Sequence, residues 1–356
     1  GKTTTTALTA FLLRATGRNP GFLIGGVPLD PPVGNHLGTR DDPFVIEGDE
    51  YDSAFFDKTA KFLKYLPDIA VINNVEFDHA DIYADMDAVT TAFARLVRLV
   101  PRRGLLLIGA DSPAAAELAG RAVSRMQTFG TSPGLDWQAH DLEADATSTR
   151  FRVRFKGEHF GDFIVPLLGA HNVRNALAAI AVATEVGIDR TRIYDGLKSF
   201  AGVKRRLEIW GVADGVTVYD DFAHHPTAVA ETLNGLRAAN PSARIWAVFE
   251  PRSASSCRRV FQADFARAFG AADEVLIAPV FRSTLPEPER LSVSELVSDL
   301  KCAGQSAHAP ASLDEIVTTI VREHRAGDLV VLMSNGGFGG IHGKLLAALS
   351  ADAQPR

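Results

Sequence analysis

The chain opens on Gly1-Lys2-Thr3-Thr4, and these residue types in this order suit phosphate chemistry. Backbone N–H groups at a helix start can wrap phosphate oxygens, a lysine can reach the terminal phosphates, and a hydroxyl can ligate Mg²⁺. This is the tail of a G-x-x-x-x-G-K-[ST] loop, of which the second glycine is the first residue present. Alone it is a weak signal, because Gly-Lys-Thr recurs by chance. Two acidic segments strengthen it. Glu47-Gly48-Asp49-Glu50-Tyr51-Asp52 and Asn73-Asn74-Val75-Glu76-Phe77-Asp78-His79 each follow a short apolar run. Carboxylates and an imidazole at strand ends could hold a divalent cation beside a triphosphate. His79 alone would more often be a loop-capping residue, but Asp78 and Asp81 stand beside it.

The elements that must position these groups follow from periodicity. Thr4 to Ala15 has helical apolar spacing, ended by Gly17, and residues 18–42 read as strand-poor loop. Phe44 to Glu47 and Ile69 to Asn74 read as strands, 86–100 as a helix and Gly104 to Gly109 as a further strand. Such alternation predicts a parallel α/β sheet with helices on both faces. Between about 136 and 168 it is interrupted by Phe151 to Phe155 and Phe160 to Leu168, which predict a small antiparallel excursion. Helices 172–186 and 190–198 follow, and the domain division is expected at 206/207. Beyond it a second α/β series predicts strands at 216–219, 244–249, 274–279 and 329–333. Its helices are expected at 226–239, 258–269, 292–302 and 312–325.

Composition sets limits on function. With 46% hydrophobic and 22% charged residues over 356 positions, the chain can build two cores. A net charge of -6 argues against a nucleic-acid binder. Two cysteines, Cys257 and Cys302, supply neither a disulfide framework nor a thiolate metal cluster, which fits a reducing, cytoplasmic setting. The longest apolar stretch, Ala176 to Ala183, is too short to span a membrane. Oligomeric state is left open. A start at Gly1 without methionine reads as a chain that begins partway through its own phosphate loop.

Taken in order, the segments resemble the Mur ligases. They are Gly1 to Thr5, Asn74 to His79, Gly169-Ala170-His171-Asn172-Val173-Arg174-Asn175-Ala176, Lys204-Arg205-Arg206, Asp220-Asp221-Phe222-Ala223-His224-His225-Pro226 and a C-terminal Gly-rich loop. The resemblance covers essentially the whole chain. It implies a P-loop ATPase-type central domain (1–206) and a Rossmann-like C-terminal domain (207–356), with the UDP-binding domain of the family lying before Gly1. The segments Glu47 to Asp57, Phe249 to Ser253 and Met333 to His342 resemble the branch that adds murein tripeptide to UDP-N-acetylmuramate in peptidoglycan recycling. The L-alanine-adding branch is the alternative.

That resemblance implies ATP and Mg²⁺ as cofactors, UDP-N-acetylmuramate and the tripeptide as partners, and an acyl-phosphate route. ATP would meet Gly1, Lys2, Thr3, Thr4, Asn172, Asn175, Arg206 and Asp220. Thr3, Glu47 and His79 would serve metal ions, with Glu50 as the reserve carboxylate. Lys2, Arg206 and His224 are the implied catalytic groups. Arg252 and Ser253 would grip a carboxylate of the peptide, a role suited to a guanidinium beside hydroxyls. One departure stands out: Val89 to Arg95 lacks the lysine that several Mur ligases carbamylate to hold the second metal. Either Arg95 or water substitutes, or that ion is held more loosely. The glycines from Asn335 to Gly340 miss G-x-G-x-x-G spacing and read as a close backbone approach to the bound peptide or to the domain interface.

Overall fold

The computed structural model describes residues 1–80, 82–281 and 284–352, so Asp81 lies outside the described residues. The chain forms two compact units, Gly1–Val203 and Lys204–Arg356.

In the first unit, α1 (Lys2–Ala15) starts directly after Gly1 and is buried from Thr3 to Ala10. A threonine-rich buried helix is tolerable only if each hydroxyl finds an acceptor. Thr6 Oγ1 donates to the Lys2 carbonyl at 2.9 Å and Thr9 Oγ1 to the Thr5 carbonyl at 2.8 Å. Next come β1 (Gly21–Leu23), β2 (Asn35–His36) and β3 (Phe44–Ile46), then the hairpin β4 (Asp52–Ala54) and β5 (Asp57–Ala60). They are followed by β6 (Ile69–Ile72), α2 (Met86–Leu99), β7 (Leu105–Gly109), the single turn α3 (Pro113–Ala116) and β8 (Arg125–Gly130). Three long strands, β9 (Trp137–Ala144), β10 (Thr149–Phe155) and β11 (Glu158–Val165), precede α4 (Ala170–Glu185) and α5 (Arg190–Ser199).

The main sheet runs β11-β10-β9-β8-β7-β6. Strands β6 to β9 are parallel and β9 to β11 antiparallel. The expected antiparallel excursion is therefore continuous with the parallel sheet. All five residues of β7 are buried, because helices cover both faces. Leu105 and Leu107 point into the core with α1 and α4, while Leu106 and Ile108 point into the core with α2. Truncating either leucine pair member to alanine would cost roughly 2–5 kcal/mol.

Two expectations need correction. The stretch 18–42 contains β1 and β2, which with β3 make a separate three-stranded sheet. Their glycine- and proline-rich flanks hide strands of three and two residues. The hairpin β4–β5 was likewise invisible inside an acidic run.

The second unit contains β12 (Glu208–Ala213), β13 (Val216–Asp221), α6 (Pro226–Ala239), β14 (Ile245–Phe249) and α7 (Gln262–Ala268). It continues with β15 (Glu274–Ile277), α8 (Val293–Cys302), β16 (Ser306–His308), α9 (Leu313–Glu323), β17 (Leu329–Met333) and α10 (Ile341–Asp352). Its sheet order is β12-β13-β17-β14-β15-β16, parallel except for the β12 edge. The expected helix 258–269 is shorter than the sequence suggests. Arg258 is extended in a bridge to Arg290, and only a 3-10 turn, Arg259–Phe261, precedes α7. The unit boundary falls at Val203/Lys204, so Lys204-Arg205-Arg206 travels with the second unit. No helix among the described residues is long and apolar enough to cross a membrane.

Candidate active site

At the start of α1, Lys2 makes a close ion pair with Glu50 and lies 3.5 Å from Asp49. Burial disfavours the lysine's charge, but Glu50 and then Asp49 raise its pKa above the ordinary lysine value. Burial likewise opposes ionisation of Glu50, yet the hydrogen bond with His79 and the charge of Lys2 hold its pKa at about 2. Thr3, buried in the first turn, donates its hydroxyl to Glu47 Oε1 at 2.9 Å, and the Gly25 N–H donates to Glu47 Oε2 at 2.6 Å. Thr4 is buried beside it.

His79 sits past the end of β6 with a left-handed backbone, φ 54°. A non-glycine residue there stores strain of about 1–3 kcal/mol and needs local support. Its own N–H donates to Asp78 Oδ1 at 2.7 Å, and Tyr51 packs on its ring at 4.1 Å between centroids. The strained turn aims Nε2 at Glu50 Oε1, 3.0 Å away. Burial would lower the His79 pKa, but the Glu50 hydrogen bond and the charge of Asp78 raise it. Tyr83, whose hydroxyl donates to the Glu50 carbonyl at 2.8 Å, has its pKa pushed up to about 12 by burial and by Glu50.

Asp49, Glu50 and His79 each offer one ligand atom, and these atoms lie within 4.8 Å of one another. Carboxylate-rich donors of this kind suit a hard divalent cation. Thus Lys2, Thr3, Glu47 and His79 are gathered in one place. Glu50 is the carboxylate on His79, whereas Glu47 is the one on Thr3. Sequence reasoning placed no weight on Asp49, which has no mark separating it from its acidic neighbours.

Asn172 and Asn175 lie on one face of the first turns of α4, both buried. Asn175 Nδ2 donates to Asn172 Oδ1 at 3.1 Å, and Asn172 Nδ2 donates to the Leu168 carbonyl at 2.8 Å. Asn175 also meets α1 through Thr5 Oγ1, at 3.1 Å.

The second unit gathers its own candidates at the carboxyl ends of β13, β17 and β14, where open α/β sheets bind ligands. Asp220, buried at the end of β13, is 3.1 Å from Arg205 Nε and 3.1 Å from His342 Nε2. Arg205 Nη2 also donates to the Ser334 and Gly336 carbonyls, at 2.7 and 2.6 Å. Arg206 lies 5.1 Å from the Phe222 ring centroid. His224 is half-buried, edge-on to Phe222, with Nδ1 3.0 Å from the Phe222 carbonyl. Arg252 stacks on Phe281 at 3.7 Å and lies 3.7 Å from Glu250. Ser253 is buried, and its hydroxyl donates to Ser256 Oγ at 2.8 Å. In the Gly-rich loop a Cβ on Gly336 would stand 2.1 Å from Arg252 Nε. A side chain at 336 would have to displace that guanidinium. His342 and Arg205 entered the sequence reading only as members of longer segments, because their partners come from other strands.

Comparison with known proteins fits this arrangement. The model of the Mur ligase middle domain matches residues 1–183, and that of the Mur ligase, glutamate ligase domain matches residues 205–336. The chain belongs to the Mur ligase family. It is 41% identical over 355 residues to the UDP-N-acetylmuramate--L-alanyl-gamma-D-glutamyl-meso-2,6-diaminoheptandioate ligase of Escherichia coli (strain K12), covering 99% of this chain and 75% of that one. A UDP-N-acetylmuramate--L-alanine ligase of Roseiflexus sp. (strain RS-1) is 35% identical, over 94% of this chain and 73% of its own. The crystal structure of a murein peptide ligase from Psychrobacter arcticus 273-4 superimposes with a TM-score of 0.70 at 36% identity, covering 98% of this chain and 75% of that one. This Mur ligase is therefore an ATP-dependent enzyme that forms an amide bond.

Proposed function

We propose that this Mur ligase joins the tripeptide L-alanyl-γ-D-glutamyl-meso-diaminopimelate to the lactyl carboxyl group of UDP-N-acetylmuramate, as a cytoplasmic peptidoglycan-recycling enzyme. Its nucleotide end rests on one observation above all: Lys2, Thr3, Glu47, Glu50 and His79 converge at the start of α1. The choice of tripeptide is supported by 41% identity over nearly the whole chain to a ligase named for that peptide, against 35% for a ligase named for L-alanine.

In this reading the substrate carboxylate attacks the γ-phosphate of ATP, giving an acyl phosphate and ADP. The tripeptide's free amine then attacks the acyl carbon, and phosphate leaves. Thr3 and the Asp49, Glu50 and His79 group would hold Mg²⁺, which would screen the negative charge of the approaching anions. Lys2 leaves Glu50 to bind the terminal phosphates. Asn172 and Asn175 would meet the adenine, and Arg206, Asp220 and His224 would serve phosphate groups. Arg252, already oriented by Phe281 and Gly336, binds a peptide carboxylate as a planar fork.

The test is ADP release in the presence of ATP, Mg²⁺ and UDP-N-acetylmuramate, with the tripeptide or L-alanine as amine. Tripeptide should support turnover and L-alanine should not. Equal turnover with L-alanine alone would assign the enzyme to the alanine-adding branch.

A further inference from the structure

The ligand atoms of Asp49, Glu50 and His79 lie within 4.8 Å of one another, yet two of the three residues already hold a cation. Lys2 Nζ makes its close ion pair with Glu50 Oε2 and stands 3.5 Å from Asp49 Oδ1, while His79 Nε2 lies 3.0 Å from Glu50 Oε1. The ammonium therefore sits against the carboxylates that a divalent ion would need.

The partners differ in how firmly they are held. The Asp49 carbonyl accepts from the Phe62 N–H at 3.2 Å, and the Glu50 carbonyl accepts from the Tyr83 hydroxyl at 2.8 Å. The His79 carbonyl accepts from the Ile82 and Tyr83 N–H groups, at 2.8 and 3.0 Å. All three ligand residues are thus pinned through their backbones, and the side chains of Glu50 and His79 are only 15% and 10% exposed. Lys2 meets them through its ammonium, at the end of a flexible stem that is 42% exposed. An ammonium brings a single charge, whereas a small divalent ion brings twice that and takes carboxylate oxygens directly. The two cannot share Glu50, because like charges a few ångströms apart in a part-buried site repel strongly. One must leave, and the lysine is the part able to move.

We propose that Lys2 is a place-holding cation on the Asp49, Glu50 and His79 group, so that capture of a divalent ion and release of the lysine towards phosphate are one exchange. Before the exchange the lysine is turned to its carboxylates. After it, the lysine reaches for the terminal phosphates with the ion in place beside them. The proposal rests on the reading that this group holds Mg²⁺.

The experiment titrates the whole chain with Mn²⁺, a spin-active stand-in for Mg²⁺, without nucleotide, and counts the free ion by electron paramagnetic resonance. Melting curves confirm that each variant is folded. Lys2→Met keeps the stem and removes the charge. It should tighten Mn²⁺ binding by roughly tenfold, because the wild-type affinity is reduced by the fraction of molecules in which the lysine occupies the carboxylates. Lys61→Met removes a charge 3.9 Å from Asp49 and should change the affinity by less than about twofold. Glu50→Gln should weaken Mn²⁺ binding in both the wild-type and the Lys2→Met background. An independent arm labels lysines with an amine-reactive reagent at fixed pH and ionic strength and reads the sites by mass spectrometry. Mg²⁺ should speed the labelling of Lys2 several-fold and leave Lys61 nearly unchanged. Equal Mn²⁺ affinity in wild type and Lys2→Met, a tightening by Lys61→Met as large as that by Lys2→Met, or Lys2 labelling that Mg²⁺ leaves unchanged would each overturn the exchange and leave the metal site standing. Mn²⁺ binding unmoved by Glu50→Gln would overturn the metal reading, and the proposal with it.

Discussion

Both units place charged residues at the carboxyl ends of parallel strands, yet they use them differently. In the first unit the Lys2 side chain is 42% exposed and faces Glu50, with Asp49, Glu47 and Asp78 close by. Lys2, His79 and Lys61, the last 3.9 Å from Asp49, stand against four carboxylates, an imbalance that a bound cation would correct. In the second unit Asp220 is 3% exposed, with Oδ2 bound to Arg205 Nε and Oδ1 3.1 Å from His342 Nε2. That cluster ties together the start of the unit, the end of β13, the Gly-rich loop and α10. The same position in a sheet thus yields an open, rearrangeable cluster in one unit and a closed clasp in the other. The exposure of Lys2 makes the difference, because at 42% against 30% for Arg205 it is the cation freer to exchange its partner for a ligand.

The largest effect that sharpens this contrast is expected at Lys2. Lys2→Ala should lower turnover by a factor on the order of 10³ or more while the melting temperature moves little, as measured by ADP release and calorimetry. Near-normal turnover would remove the first unit's claim to be the open cluster. Next in size, Asp220→Ala should destabilise the second unit by about 1.5–3 kcal/mol, since it removes the charged acceptor of the partly buried Arg205 and leaves that guanidinium only carbonyl partners. Denaturant melts measure this, and a loss below about 1 kcal/mol would mean that the clasp is not closed. The smallest effect concerns His324, whose Nε2 lies 2.9 Å from Asp214 Oδ2 and whose Nδ1 lies 2.8 Å from the Val321 carbonyl. Burial lowers its pKa, but the Asp214 hydrogen bond and that carbonyl raise it above 6.5. Its contribution should be complete below the unfolded value and fade as pH rises through the higher folded one, amounting to at most about 1 kcal/mol. His324→Gln should flatten that part of the stability profile between neutral and mildly alkaline pH.

Much of the architecture was legible because burial imposes a period on the sequence. The helix at Pro226–Ala239 and the strand at Leu329–Met333 fall where the apolar spacing puts them. Strands without a period were missed, as at Gly21–Leu23 and Asn35–His36, where pairing with β3 supplies what local composition does not.

The sequence by itself determined that Lys2 and Thr3 open a helix and that His79 follows a strand. It also determined that Asn172 and Asn175 share a helix face and that the chain resembles a Mur ligase. Those facts depend on neighbours within a few residues. Only the tertiary structure decided that Glu50 pairs with His79 while Glu47 pairs with Thr3. The two carboxylates are three residues apart in one acidic run, and their partners come from α1 and from the end of β6. It also decided that Asn73, Thr5 and Asn175 share one line of hydrogen bonds, since these residues stand 68 and 170 positions apart and meet only when α1 packs between β6 and α4. Local chemistry fixes which groups are available, and long-range packing fixes which of them face each other.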